Sequence, residues 1–338
     1  NDGFDDILIG APYDGNAPFS DSDEGAFHII YGQSDLKINT YDGGDLYDSD
    51  DYGVSIHLSS VFSSNSDSEM GDSVAVGDFN GDGIDDIAVS SNEAGINEGN
   101  EGIVTIYLGQ NFGDPQEAVL INGNDSASYM GYRQGSLQNL GDINGDGFDD
   151  LGIRDYDDNF FIIWGRSSWT ADYDLNGDFI NDVKLIDTSI QSSFDGEYLS
   201  GTSVGSSYEF KGVGDVNGDG FDDILITAPY ANWDSNYSGT EYGGSQLIFG
   251  QSNWLGELSD TNYSSIEIKG NESGLEIISM GDFDNDGLDE FGFTNGYGTI
   301  QDIVIWSGQD DIDQSQAEPV LNLDKNTVEE NSLGATIG

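Results

Sequence analysis

The sequence predicts an all-β fold, a β-propeller of four-stranded antiparallel blades with about five repeats visible. Two observations carry this prediction. An acidic nine-residue loop recurs along the 338 residues, and each copy is followed by short apolar runs that stop at Gly, Pro, Asn or Asp. Runs bounded in this way read as buried strands rather than helices. Four such strands per repeat describe a propeller blade, and a ring of six or seven blades stays open as an alternative.

The complete loops are DFNGDGIDD (78–86), DINGDGFDD (142–150), DVNGDGFDD (215–223) and DFDNDGLDE (282–290). They open at Asp78, Asp142, Asp215 and Asp282, so successive repeats lie 64, 73 and 67 residues apart. A shortened copy, NDGFDD, occupies residues 1–6 and suggests that sequence lies upstream. Each complete loop carries oxygen side chains at positions 1, 3, 5 and 9 and glycine at position 6. A hard, oxygen-seeking cation needs that arrangement, and a flexible cage of six to eight oxygens favours Ca²⁺ over Mg²⁺.

The ligand roles follow position by position. In the first complete loop Asp78, Asn80 and Asp82 supply side-chain oxygens, Ile84 its carbonyl, and Asp86 the closing carboxylate. The same roles fall to Asp142, Asn144, Asp146, Phe148 and Asp150, and then to Asp215, Asn217, Asp219, Phe221 and Asp223. Asp282, Asp284, Asp286, Leu288 and Glu290 fill the last loop, where Glu is one methylene longer. Asp2, Phe4 and Asp6 are what the shortened copy retains. Solvated Asp/Asn/Gly turns are the plain alternative for any single copy. Four copies in register favour calcium.

The strands come in order after each loop. The first set is 7–13, 87–93, 151–157, 224–230 and 291–297. The second, 25–33, 102–110, 159–167, 244–252 and 302–310, repeatedly closes on Gly followed by Gln. The third is expected at 36–40, 117–123, 182–187, 265–270 and 319–324, and a fourth precedes each complete loop, as at 72–78 and 275–282. A further polar stretch, Asp174 to Asp182, repeats the oxygen spacing but has Phe179 in place of the glycine, and reads as an interstrand loop.

These motifs resemble the FG-GAP repeats of integrin α-subunit propellers and their bacterial relatives, over about residues 1–316. Met70-Gly71 stands at the Phe-Gly place, Gly10-Ala11-Pro12 is intact, and Ala228-Pro229 keeps most of the second signature. Ser90-Ser91, Arg154-Asp155 and Thr294-Asn295 depart from it. The resemblance implies that ligands bind the face opposite the calcium loops. It places the long segment 228–243 on that face, with Tyr230, Trp233, Tyr237 and Tyr242 as candidate contacts. Aromatic rings beside Asn and Asp suit a glycan or protein ligand on another surface, or else they pack down and stiffen the loop.

Composition points outside the cell. The formal net charge is −57, from 65 Asp and Glu against 8 Lys and Arg. Such a chain excludes nucleic acid and anionic membrane as partners. There is no cysteine, so calcium rather than disulfide bonding is the expected stabiliser. No apolar stretch is long enough to insert in a membrane. An enzyme finds little support, because there are two histidines, no Cys and no recognisable nucleophile setting.

Residues 317–338 differ in texture and read as a linker or the start of a cadherin-like domain, to which VEENSLGATIG is similar. On that reading the propeller is one module of a bacterial surface adhesin with neighbouring domains in the same chain. A further blade beginning at Leu333-Gly334 is the competing reading. The sequence therefore leads to a calcium-binding adhesion module, with an extracellular polysaccharide- or lipid-cleaving enzyme domain or a structural spacer as alternatives.

Overall fold

The computed structural model describes residues 3–13, 25–32, 53–57, 68–95, 101–110, 116–123, 129–132, 134–156, 160–169, 173–174, 183–186, 209–228, 244–254, 264–270, 273–295, 302–308, 321–323 and 336–337. Every regular element among them is a strand, and the strands form five sheets. The fold is all-β and made of propeller-type blades.

The first sheet joins β1 (Ile7–Ala11), β2 (Ala26–Ile30) and β3 (Gly53–His57) in sequence order. Antiparallel register pairs Ile7 with Ile30 and Ala26 with His57. The second runs β4 (Met70–Gly77), β5 (Asp86–Ser91), β6 (Ile103–Leu108) and β7 (Gln116–Asn122), again antiparallel throughout. The third has β8 (Leu137–Asn139), β9 (Leu151–Arg154), β10 (Phe160–Ile163) and β12 (Val183–Ile186) in that order. The fourth is β13 (Glu209–Gly214), β14 (Asp223–Ala228), β15 (Gly244–Ile248) and β16 (Ser265–Gly270). The fifth is β17 (Ser273–Gly281), β18 (Glu290–Asn295), β19 (Asp302–Trp306) and β21 (Thr336–Ile337). Two short strands add parallel edges: β11 (Tyr173–Asp174) beside β7, and β20 (Leu321–Leu323) beside β16.

Two third strands differ from expectation. The first sheet is completed by Gly53–His57 rather than 36–40, which lies outside the described residues. Both stretches alternate apolar and polar residues, so period two alone does not choose between them. In the fifth sheet the third place belongs to Thr336–Ile337, while Leu321–Leu323 pairs with the fourth sheet.

The chain divides into two units: residues 1–137, 153–157 and 164–183, and residues 138–152, 158–163 and 184–338. In the first, Phe27 and Ile29 of β2 pack with Met70, Ile87, Val89 and Tyr107, and the Phe27 and Tyr107 rings lie 5.1 Å apart. In the second, Leu225, Leu247 and Ile266 meet Ile277, Phe291, Phe293 and Trp306, with Phe291 stacked on Trp306 at 5.7 Å. Both are contacts between neighbouring sheets. Central strands such as β5 are buried along their whole length, which explains why they read as continuous apolar runs.

Candidate metal centre

Each complete acidic loop links the first two strands of a sheet, and its base is closed by backbone pairing. Gly77 pairs with Asp86, Gly214 with Asp223 and Gly281 with Glu290, the last two at bulges in the ladder. At 141–150 the Asp150 N–H donates to the Gly141 carbonyl at 2.8 Å. The ladder thus turns the ninth residue out of solvent while positions 5 and 6 stay exposed. Asp86, Asp150 and Asp223 are 0 % exposed, and Glu290 is 2 % exposed.

The turn itself needs left-handed backbone. Gly83, Gly147, Gly220 and Gly287 have φ of 81°, 90°, 90° and 98°. A Cβ at any of them would meet nothing within 4 Å, so dihedral strain rather than space selects glycine. Position 4 is left-handed too, with Gly81, Gly145 and Gly218 at 71°, 74° and 75°, and Asn285 at 64° in the last loop.

The first residue of each loop is held by the loop's own amides. Asp78 accepts from Asp82 N–H at 3.0 Å and Gly83 N–H at 2.8 Å. Asp142 accepts from Asp146 and Gly147 at 2.9 and 2.8 Å, and Asp215 from Gly218, Asp219 and Gly220 at 2.7, 3.1 and 2.8 Å. Asp282 accepts from Asp286 and Gly287 at 3.0 and 3.1 Å. Asn80 and Asn217 present their amide oxygens to Asp82 and Asp219 N–H, both at 2.9 Å. Asp82, Asp146, Asp219 and Asp286 each accept from the N–H two residues on, that of Ile84, Phe148, Phe221 and Leu288. A carboxylate oxygen carries two lone pairs, so these bonds orient the ligand set and leave capacity for a cation.

The ninth residue has a partner that sequence reasoning missed. A glycine beyond the strand that follows the loop hairpin donates its N–H to it: Gly109 beyond β6 to Asp86 at 2.8 Å, Gly250 beyond β15 to Asp223 at 2.9 Å, and Gly32 beyond β2 to Asp6 at 2.7 Å. The signal was present as the Gly-Gln that recurs in 25–33, 102–110, 244–252 and 302–310, with Gly165-Arg166 in its place in 159–167. In Asp86 the other oxygen, Oδ2, is buried with no hydrogen-bond partner among the described residues, and so is Oε1 of Glu290. Burial pushes the Asp86 carboxyl up to about 7, against the Gly109 N–H, with Asp82 and Asp78 adding to the rise. Burial likewise raises Asp223 to about 8, opposed by Gly250 and Val216 N–H and reinforced by Asp219 and Asp215.

A buried, unpartnered carboxylate oxygen facing a ring of acidic groups is the environment that a divalent cation relieves. Asp282, Asp284 and Glu290 bring one oxygen each within 4.8 Å of one another. The residues present fit a calcium ion by donor chemistry. Phe4 and Asp6 lie among the described residues and Asp2 outside them. Tyr230, Trp233, Tyr237 and Tyr242 also lie outside them, as does 175–182.

Loop position 2 separates one copy from the rest. Phe79, Ile143 and Val216 are 0 % exposed, whereas Phe283 is 72 % exposed. Residues just after β10 and β15 bond to the backbone of two of the buried ones. Arg166 N–H donates to the Phe79 carbonyl at 2.9 Å, and Gln251 N–H and the Trp254 indole donate to that of Ile143 at 2.9 and 3.1 Å.

Comparison with known proteins agrees with this geometry. The FG-GAP repeat model matches residues 70–107 and 212–244. Integrin alpha-V of Gallus gallus is 31% identical over 170 residues, 50% of this chain and 14% of that protein. Integrin alpha-PS3 of Drosophila melanogaster is 28% identical over 193 residues, 56% of this chain and 16% of its own length. Integrin alpha-5 of Xenopus laevis is 35% identical over 179 residues, 50% of this chain and 14% of that protein. The matches therefore span about half of this chain and a small fraction of each relative. Two stretches of the chain thus match the FG-GAP repeat, within an all-β, propeller-type fold, and about half of the chain is similar to part of integrin α chains.

Proposed function

We propose that this chain is a calcium-binding ligand-recognition module that works outside the cell as part of a large bacterial surface protein. The carrying observation is the repeated, buried ninth carboxylate, with an unpartnered oxygen at Asp86 and Glu290. Calcium binds Asp78, Asn80, Asp82, Ile84 and Asp86 in the first complete loop, and the matching residues of the loops at 142–150, 215–223 and 282–290. Asp2, Phe4 and Asp6 contribute to a site at the shortened copy. Its role is structural: it neutralises packed carboxylates and fixes the loops, stabilising the folded state in millimolar calcium.

In the four sheets with a complete loop, the second strand of the loop hairpin runs away from the acidic loop, so its far end delivers the connections to the opposite edge. The ligand, a glycan or a protein on another surface, meets that edge. Tyr230, Trp233, Tyr237 and Tyr242 are the proposed contacts there, similarity to integrin α chains supports the placement, and 1–316 forms the binding module. Direct capture on an array of glycans and matrix proteins, with calcium and after its removal, tests the reading. Calcium-dependent capture without product supports it. Release of reducing ends or unsaturated uronides would assign the chain to the hydrolytic or lyase alternative, and no capture in either condition would leave it a spacer.

A further inference from the structure

Three consecutive acidic loops, 142–150, 215–223 and 282–290, lie within the second unit, and the eighth residue of a loop reaches back to the loop before it. Asp222 is the eighth residue of the 215–223 loop. Its Oδ2 accepts from the N–H of Asp142 at 2.7 Å, and its own N–H donates to the Asp142 carbonyl at 3.2 Å. One repeat later, Asp289 Oδ2 accepts from the N–H of Asp215 at 2.9 Å, and Asp289 N–H donates to the Asp215 carbonyl at 3.1 Å. Each of these aspartates therefore clasps, through two hydrogen bonds, the backbone of the residue that opens the preceding loop.

The glycine before each opening residue is shaped for the clasp. Gly141 and Gly214 have φ of 74° and 80°. A Cβ on Gly141 would lie 2.1 Å from Asp222 Oδ2, and one on Gly214 would lie 2.1 Å from Asp289 Oδ2. Neither opening residue could be clasped if a larger side chain preceded it. The second contact between loops is apolar: the Phe221 ring lies where a Cβ on Gly145 would be 2.4 Å from it. Asp149 holds the same loop position and accepts from Asn139 Nδ2 at 2.9 Å inside its own repeat.

Resting on the calcium reading above, we infer that Asp222 and Asp289 are positioning residues that couple the three calcium sites, so that filling one loop raises the affinity of its neighbour. Asp222 is one peptide bond from Asp223, the closing ligand of its own loop, and it grips Asp142, the first ligand of the loop before. An ion that fixes Asp223 therefore also fixes Asp142, and the second loop loses less freedom when it binds. Carboxylate-to-amide bonds are charge-assisted, so the clasp is stiff enough to pass on that restraint. The coupling is reciprocal by thermodynamic necessity. Neither aspartate need touch the ion.

Trp254 supplies a local reporter, because its indole N–H donates to the carbonyl of Ile143 in the 142–150 loop. Terbium(III) occupies calcium sites and luminesces when an indole close by is excited. The difference between the full chain and its Trp254→Phe variant isolates this loop, and calcium competition then reads its affinity. Asp219→Ala disables the 215–223 loop, and Asp222→Ala removes the side-chain half of the clasp. Each should weaken calcium at 142–150 by about fivefold or more. The double variant should lose no more than the larger single loss, the non-additivity of a shared path. Asp222→Asn keeps an acceptor oxygen of the same size, so it should restore most of the coupling, and it tests the idea should Asp222→Ala not fold. If Asp219→Ala leaves the affinity at 142–150 unchanged, or the two losses multiply, the coupling is wrong and the calcium sites stand. If the unmodified chain takes up neither ion, the calcium reading falls and the coupling with it.

Discussion

The N–H of Gly109 donates a 2.8 Å hydrogen bond to Oδ1 of Asp86, joining residues 23 apart in sequence. The bond fastens the closing carboxylate of a loop to the end of β6, the strand that pairs with β5. The same glycine has no room for a side chain, since a Cβ there would lie 2.2 Å from the Asp85 carbonyl oxygen. Strand end and acidic loop are thus built as one piece, and glycine is required at the joint.

Gly109→Ala should therefore lower stability by about 1–3 kcal/mol, the usual cost of overpacking. Gly83→Ala should cost about 1–2 kcal/mol for a different reason, left-handed strain in open space. Asn separates the two causes, because Asn285 already holds φ of 64° in the last loop. Chemical denaturation should find Gly83→Asn milder than Gly83→Ala, and Gly109→Asn worse than Gly109→Ala. The same order at both positions would contradict the distinction.

Loop position 2 offers a paired comparison. Phe79 is fully buried and Phe283 is 72 % exposed. Phe79→Ala should cost about 3–5 kcal/mol, as other core Phe truncations do. Phe283→Ala should fall within about 0.5 kcal/mol of the unmodified chain. Equal losses in urea melts would show that Phe283 is covered.

Stability should fall with rising pH without calcium and stay nearly level with calcium bound. Burial raises Asp86 to about 7 and Asp223 to about 8, from an ordinary 3.8. A raised folded-state value means stability that is full below the unfolded value and is lost as pH rises through the folded one. Metal-stripped protein should accordingly melt lower as pH rises from about 4 to about 8. Calcium binds the ionised form, so its affinity should climb over the same window and level off above it. The gap between melting temperatures with and without calcium should widen up to about pH 8, and less so in Asp86→Asn. A constant gap would show that these carboxyls do not hold the ion.

Much of this was legible in the sequence because the signals are local. The loop spacing named the ninth carboxylate, and apolar runs placed the starts of β5, β6, β14 and β15 to within one residue, running two to four residues past their ends. The structure added what lies between repeats. Asp222 and Asp142 are 80 residues apart, and no periodicity reveals that one clasps the other. The Gly-Gln signal was visible, but its meaning needs the hydrogen bond from Gly109 to Asp86. Gly53–His57 was missed because 36–40 alternates equally well, and only pairing with β2 selects between them.

Calcium titration of the metal-stripped chain by calorimetry, with melting followed in parallel, is the most direct test. Four complete loops predict about four ions per chain, with dissociation constants of about 10⁻⁴ to 10⁻³ M. Melting should rise with occupancy, and Asp82→Ala and Asp146→Ala should each remove one ion. No heat of binding at millimolar calcium, with melting unchanged in chelator, would contradict the account.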